Sequence, residues 1–278
     1  MPTPARSAVL HLKTARRLLR RRPLRLAAAR APLEDRVVFV FGSPRSGTTF
    51  LAEAIGSLPG FVDLTEVAAL KAVIPELVRL PAEDAAARIR RLLTFTRTLG
   101  LVRDLRAVEQ TPETAFLLPA VARAFPAAVL VHAVRDGRDV VCSLLERGWL
   151  GPRRTGGADD AFLPYGTEPR FWVEVGREAE FAASSEARRA AWAWRRYVGA
   201  VLESGVTVHE VHYERIAADP EGTASGLSAV LGASAEQLAD ALGEAHASSV
   251  GRYRRDLTSE QLAEVEAEAG ETLRLLGY

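Results

Sequence analysis

Lysine is nearly absent from this chain. Of its 36 basic residues only Lys13 and Lys71 are lysines, and the others are arginine. Cysteine occurs once, as Cys142, which rules out an intrachain disulfide and fits a reducing, cytoplasmic setting. No apolar run approaches the ~20 residues of a membrane span. The arginine-rich start lacks the apolar stretch of about 7–15 residues that marks a secretory signal. No internal repeat is present. The net charge of +1 hides an asymmetry: nine basic residues precede the first acid, Glu34, leaving 27 basic against 35 acidic residues in the body. A mildly acidic body does not read as a nucleic-acid binder.

What is present is an alternation of strands and helices. Residues 37–41 and 128–134 are short apolar runs rich in β-formers, as expected of buried parallel strands. Residues 206–211 alternate as a third strand. Helical spacing covers 48–58, 66–80, 82–99, 113–124, the stretch after Arg138 to about 146, 186–204 and most of 219–276. The pattern predicts an α/β fold with a P-loop-type open parallel sheet of about 4–5 strands and helices on both faces. Residues 1–35 read as a basic, solvated extension that can meet an anionic membrane surface or an acidic carrier protein. Residues 36–278 read as a single domain. Within it, residues 148–170 hold five glycines and three prolines, the composition of a mobile loop, inside a wider lid region at about 148–185.

The most informative stretch is Val38-Phe-Val-Phe-Gly-Ser-Pro-Arg-Ser-Gly-Thr-Thr-Phe50. An apolar strand enters a glycine-bounded loop that opens a helix, the arrangement that turns backbone N–H groups and the positive end of a helix dipole toward a phosphate. Gly42 and Gly47 have Walker A spacing, but Thr48 stands where that motif has its lysine. A nucleoside triphosphate needs that cation at its β/γ-phosphates. Here the loop's cation is Arg45. With Pro44, Ser46, Gly47, Thr48 and Thr49 it forms a phosphate cradle for something other than ATP with magnesium.

A second anion site is expected in Val131-His-Ala-Val-Arg-Asp-Gly-Arg-Asp-Val-Val-Cys-Ser143. Arg135 ends a strand and Ser143 lies one or two turns into the next helix, so a guanidinium fork and a hydroxyl flank a helix N-terminus. Asp139 reads as a cap or a pairing partner within the first helical turn, Arg138 as a surface charge and His132 as a packed strand residue. No strand-end aspartate suited to magnesium is evident, so no metal is expected.

The sequence Pro44-Arg-Ser-Gly-Thr-Thr49 resembles the phosphate loop of sulfotransferases that use 3′-phosphoadenosine 5′-phosphosulfate (PAPS), and is similar to the tyrosylprotein and bacterial branch of that family. The resemblance runs from about residue 36 to 278. It implies that Arg135 and Ser143, eight residues apart, hold the 3′-phosphate of PAPS or of its product, adenosine 3′,5′-bisphosphate (PAP). It also implies that Tyr213, in Val211-His-Tyr-Glu-Arg, lies near adenine, with Glu214 anchoring the turn. In Ser248-Ser-Val-Gly-Arg-Tyr-Arg254 it points to Arg252, and less strongly to Ser249 and Arg254, as closing over the nucleotide.

One departure concerns the base. Gln110-Thr-Pro112 fills the place of a Lys-Thr-His triplet in cytosolic members, so that histidine is missing and Gln110 can give only a neutral hydrogen bond. The tyrosylprotein branch instead carries a glutamate soon after the phosphate loop, and Glu66 occupies that position; Glu113 is the alternative. The resemblance implies transfer of a sulfuryl group to a hydroxyl of a small-molecule, carbohydrate or lipid-linked acceptor. Aromatic residues of the loop region, including Trp149, Phe162, Tyr165, Phe171 and Trp172, either wall the acceptor pocket or pin the loop. The competing readings are a P-loop nucleotide kinase or NTPase and a catalytically silent nucleotide-binding protein.

Overall fold

The computed structural model describes residues 8–12, 14–16, 36–99 and 105–278. Five strands, β1 (Val38–Phe41), β2 (Phe61–Asp63), β3 (Arg106–Glu109), β4 (Val129–Val134) and β5 (His209–His212), form one parallel sheet in the order β2-β3-β1-β4-β5. This is the expected open parallel α/β sheet, with helices on both faces.

The period-two geometry of a strand divides the core. Phe39 and Phe41 face one apolar cluster, while Val38 and Val40 face another, and all four are fully buried. Helices α1 (Thr48–Ser57), α2 (Ala82–Leu99), α3 (Leu118–Ala124), α4 (Gly137–Arg147), α5 (Glu186–Glu203), α6 (Tyr213–Ala218), α7 (Pro220–Leu231), α8 (Ala235–Leu242) and α9 (Ser259–Leu275) surround the sheet. On the β1 side of Val38 and Val40 lie α1, α7 and α8; on that of Phe39 and Phe41 lie α2 to α5 and α9.

Several expected elements differ. Strands β2 and β3 were not read from the sequence: one has three residues, and the other begins at an arginine and ends in a glutamate. The ladder of β5 with β4 begins at His209 rather than at 206. The helix expected over 66–80 is two single turns, Ala68–Lys71 and Ile74–Leu77, with Pro75 in the first turn of the second. The helix expected over 113–124 is a 3₁₀ segment, Pro112–Leu117, followed by α3, which Pro119 opens. A proline lacks the N–H that would continue a preceding helix, so each starts a new one.

The N-terminal segment also departs from expectation. Residues 8–12 and 14–16 are helical, and Leu10, His11, Thr14 and Ala15 are buried. His11 Nδ1 lies 3.0 Å from Thr96 Oγ1, and its ring meets the Phe95 ring edge-on at 4.6 Å. Leu10 packs with Ala68 and Ala69. This part of the extension is therefore docked rather than solvated, because its apolar positions cover α2 and the turn at 68–71. The arginines at 17–25 fall outside the described residues. Among the described residues no helix is long and apolar enough to cross a membrane.

Candidate active site

Because the sheet is parallel, the carboxyl ends of all its strands open at one edge, where ligands bind in such folds. Each strand delivers residues there: the Gly42–Thr48 loop after β1, Thr65 and Glu66 after β2, Gln110 after β3, Arg135 after β4 and Tyr213 after β5.

The phosphate loop holds Gly47 at φ 87°, and a Cβ there would fall 2.7 Å from Tyr213 Cδ2. Backbone angle and close approach both demand glycine. Arg45 itself has a positive φ of 75°, a costly conformation for a side-chain-bearing residue. Gly47 caps α1 without a side-chain hydrogen bond, and no acid lies in the first turn. The first amides and the positive helix end are thereby left open to an anion.

Arg135 joins the two predicted anion sites. Its guanidinium donates to the Arg45 carbonyl (3.2 Å) and the Ser249 carbonyl (2.5 Å), and sits 4.9 Å over the Tyr213 ring. Its buried Nε has no protein partner, an orphaned donor suited to an anionic oxygen. Arg45 Nε donates to Ser143 Oγ at 2.9 Å, which leaves the serine's own proton for a ligand. The residues present thus fit a nucleotide with two phosphate-bearing ends.

The surroundings hold this arrangement rigidly. Trp194 Nε1 donates to the Arg135 carbonyl at 3.1 Å, and a Cβ on Gly137 would fall 2.6 Å from the same indole. Glu214 accepts from the Asp136 N–H and from the Tyr278 hydroxyl, both at 2.9 Å; it anchors the turn, as expected. Tyr213 and His246 are joined through the Tyr213 hydroxyl, which accepts from the His246 N–H at 3.1 Å.

Other expectations need correction. The cap of α4 is Asp136, whose side chain accepts from the Arg138 N–H, not Asp139. Asp139 is fully buried and reaches across to accept from Gly251 N–H (2.7 Å) and Tyr253 N–H (3.0 Å). It fastens the late basic segment to α4. Arg138 is paired with Asp136 at 2.8 Å and lies 4.3 Å over the Tyr253 ring, so it is no plain surface charge. Arg252 is engaged by Glu146 and by Asp256 (2.6 Å), and Ser249 meets Arg135 through its carbonyl. Arg254 lies over the Tyr253 ring.

Beside the phosphate loop opens a cavity of about 430 Å³. Arg45, Thr48, Thr49 and Gln110 form one wall. Gln110 bridges the loop hydroxyls, donating to Thr48 Oγ1 (3.1 Å) and accepting from Thr49 Oγ1 (3.4 Å). Glu66, Lys71 and Glu113 form the other wall. Trp149 and Tyr165, stacked at 6.4 Å, close the loop side, and Arg45 lies 5.8 Å over the Trp149 ring.

Trp172 does not reach this cavity. It is buried in the core against Phe181 and Tyr197, so it pins the loop region rather than contacting an acceptor. Phe171 packs on Phe116, and Phe162 is half exposed outside the cavity lining.

Glu66 precedes the single turn 68–71 instead of lying inside a helix, and follows Thr65 at φ 59°. Burial raises its carboxyl above the usual range; Lys71 opposes that rise, while Glu113 and Asp159 add to it. Lys71 Nζ sits 3.1 Å from Glu66, 3.3 Å from Asp159 and 3.6 Å from Glu113. Glu113 also meets Arg170 at 3.4 Å. Behind this group, the fully buried Glu109 accepts from the Thr111 N–H at 3.2 Å and from the Thr111 and Thr114 hydroxyls. Burial pushes its carboxyl up to about 7.

Lys71, Asp159, Arg170 and Glu109 were not singled out as functional from the sequence. One signal was available, the rarity of lysine.

Two solved structures share this fold. Sulfotransferase STF9 from Mycobacterium avium superposes with a TM-score of 0.51 at 14% identity, over 96% of this chain and 83% of that one. A sulfotransferase domain from the curacin biosynthetic pathway gives 0.50 at 14% identity, over 85% of this chain and 98% of that one. Among curated proteins nothing matches. The model of the Sulfotransferase family matches residues 89–237, a span that begins beyond the phosphate loop and includes Gln110, Arg135, Ser143 and Tyr213. With more than half of its length matched, the chain belongs to the sulfotransferase family.

Proposed function

We propose that this protein moves the sulfuryl group of PAPS to a hydroxyl of a polar acceptor. The observation that carries the reading is the interlock of Arg45, Arg135 and Ser143, which brings two anion-binding ends within one side chain of each other. A nucleotide with phosphates at both its 3′ and 5′ positions matches that pair. The N-terminus of α1, Thr48, Thr49 and Arg45 would hold the 5′ end, Arg135 and Ser143 the 3′ end, and Tyr213 the base. When bound, the donor supplies the activated sulfuryl group.

Glu66 is the proton acceptor in this reading. An acceptor hydroxyl in the cavity gives its proton to the Glu66 carboxylate as its oxygen forms the new bond to sulfur. The bond from sulfur to the 5′-phosphate oxygen breaks, and its electron pair leaves with the phosphate. Arg45 and the loop amides stabilise that growing charge, the kind of preorganised donation whose loss costs about 10²–10³ in kcat in a studied precedent. The charged cavity wall favours a hydroxyl-rich acceptor, such as a sugar, over a wholly apolar alcohol, which would cut the paired charges of Lys71, Glu113 and Arg170 off from water without offering them a hydrogen bond.

Two measurements test the reading. PAP should raise the melting temperature and ATP with magnesium should not; the reverse would restore the kinase reading. Transfer of labelled sulfate from PAPS across a panel of hydroxyl acceptors should yield product, and failure on every acceptor would favour the silent binder.

A further inference from the structure

In a chain with thirty-four arginines, one of two lysines stands where three segments meet. Glu66 comes from the chain after β2, Glu113 from the 3₁₀ segment after β3, and Asp159 from the 148–170 loop. A lysine ammonium is compact and carries three donors that can point three ways, whereas a guanidinium presents a flat fork. Lys71 is only 12% exposed, so its attractions are weakly screened.

Asp159 does two jobs with its two oxygens. Oδ1 accepts from the N–H groups of Ala161 (2.9 Å) and Leu163 (3.0 Å), shaping the loop tip. Oδ2 faces Lys71. The loop that carries Trp149 and Tyr165 over the cavity is therefore clasped to the ammonium that also holds Glu66. Around Glu66 stand Lys71, Glu113 and Asp159, with Glu109 behind and Arg170 beyond Glu113.

We propose that Lys71 is a positioning residue through which closure of the 148–170 loop sets how firmly Glu66 is held. Three carboxylates compete for one ammonium. With the loop closed, Asp159 takes a share of Lys71 and Glu66 is held less tightly; with the loop open, Lys71 turns to Glu66 and pairs it more fully. A base of this kind becomes free to take a proton only when the cavity is covered. The consequence for catalysis rests on the reading of Glu66 as the base, but the coupling itself does not.

The test therefore needs no turnover. Arg153 and Arg154 sit in the 3₁₀ turn Pro152–Arg154, with Arg154 5.2 Å over the Tyr165 ring; trypsin must draw that turn out to cut it, so the cleavage rate, followed by mass spectrometry of the new N-terminus, reports loop opening in the full chain. Asp159→Asn keeps an oxygen for the loop tip but loses the charge facing Lys71, and should speed cleavage; Lys71→Met should do the same. By reciprocity of coupling, Glu66→Gln should slow cleavage at least about twofold, the lower end of measured couplings between contacting residues, because Lys71 then belongs more to Asp159. In the Asp159→Asn background Glu66→Gln should have no such effect. Unchanged or faster cleavage in Glu66→Gln, or equal slowing in both backgrounds, overturns the proposal. If Lys71→Met does not fold, the other two variants and their double mutant decide. Sulfate transfer measured separately on the wild type shows whether the catalytic reading fails on its own.

Discussion

The two halves of the site are built on opposite electrostatic plans. At the nucleotide end, arginines are steered by backbone carbonyls and one serine, and a buried donor of Arg135 is left without a partner. Among the described residues no carboxylate is ion-paired with Arg45 or Arg135, although Glu146 acts on Arg45 at longer range. At the acceptor end, Lys71 lies among three carboxylates and Arg170 beside one of them. That end is already paired, as suits the uncharged hydroxyl acceptor proposed above. One region would bind by unmet demand and the other by exchange of hydrogen bonds, as the proposed multiply charged donor and uncharged acceptor require.

Glu66→Gln should separate the halves most sharply. Turnover is expected to fall by about 10²–10⁴, the range of a lost general base, while PAP affinity measured by calorimetry stays within about twofold of wild type. A parallel loss of PAP binding would show that the halves are not distinct. Arg135→Ala should act on the other half alone. PAP binding should weaken by about 10–150-fold, the worth of a charged hydrogen bond, and adenosine 5′-phosphate binding much less. Equal losses for both nucleotides would remove Arg135 from the 3′ end.

The nucleotide half was legible because its chemistry is continuous in sequence. Gly42 to Thr49 and Arg135 to Ser143 are single stretches in which strand, turn and helix follow one another, and Tyr213 was found through resemblance. The sheet followed from Phe39 and Val131, whose strands are apolar, but not from Phe61–Asp63 or Arg106–Glu109, which are too short or too charged to announce themselves. The acceptor half was mostly hidden. Lys71, Glu113 and Asp159 are far apart in the chain, and an ammonium shared among them is a property of tertiary packing. For Trp172 the sequence leaves pocket wall and loop pin equally open, and its burial assigns it to the core.

Smaller effects test how each half is supported. Gly47→Ala places a side chain at φ 87° and against Tyr213. A loss of about 1–3 kcal/mol is expected, seen as a Tm lower by about 2–4 °C per kcal/mol. An unchanged Tm would mean that the loop and Tyr213 yield easily. A further effect, of similar size but confined to a pH window, concerns Glu109. Its carboxyl titrates near 7 in the fold against about 4.5 unfolded. Between those values the folded form holds a proton that the unfolded chain has lost, so its contribution to stability is present at low pH and is lost as pH rises toward 7. Glu109→Gln should remove that slope. Its Tm relative to wild type should therefore rise from pH 5 to pH 7.5, by an amount on the order of 1–3 kcal/mol in stability. A pH-independent difference would place the carboxyl's titration outside that window.

The docked residues 8–12 and 14–16 bear on where this protein can be cut. Leu10 covers Ala68 and Ala69, the turn that ends in Lys71 and directly follows Glu66. A shortened chain beginning at the first strand would keep Arg45, Arg135 and Ser143 yet bare the back of the turn that carries Lys71. Trimming a basic leader for convenience would thus reach the chemistry from behind.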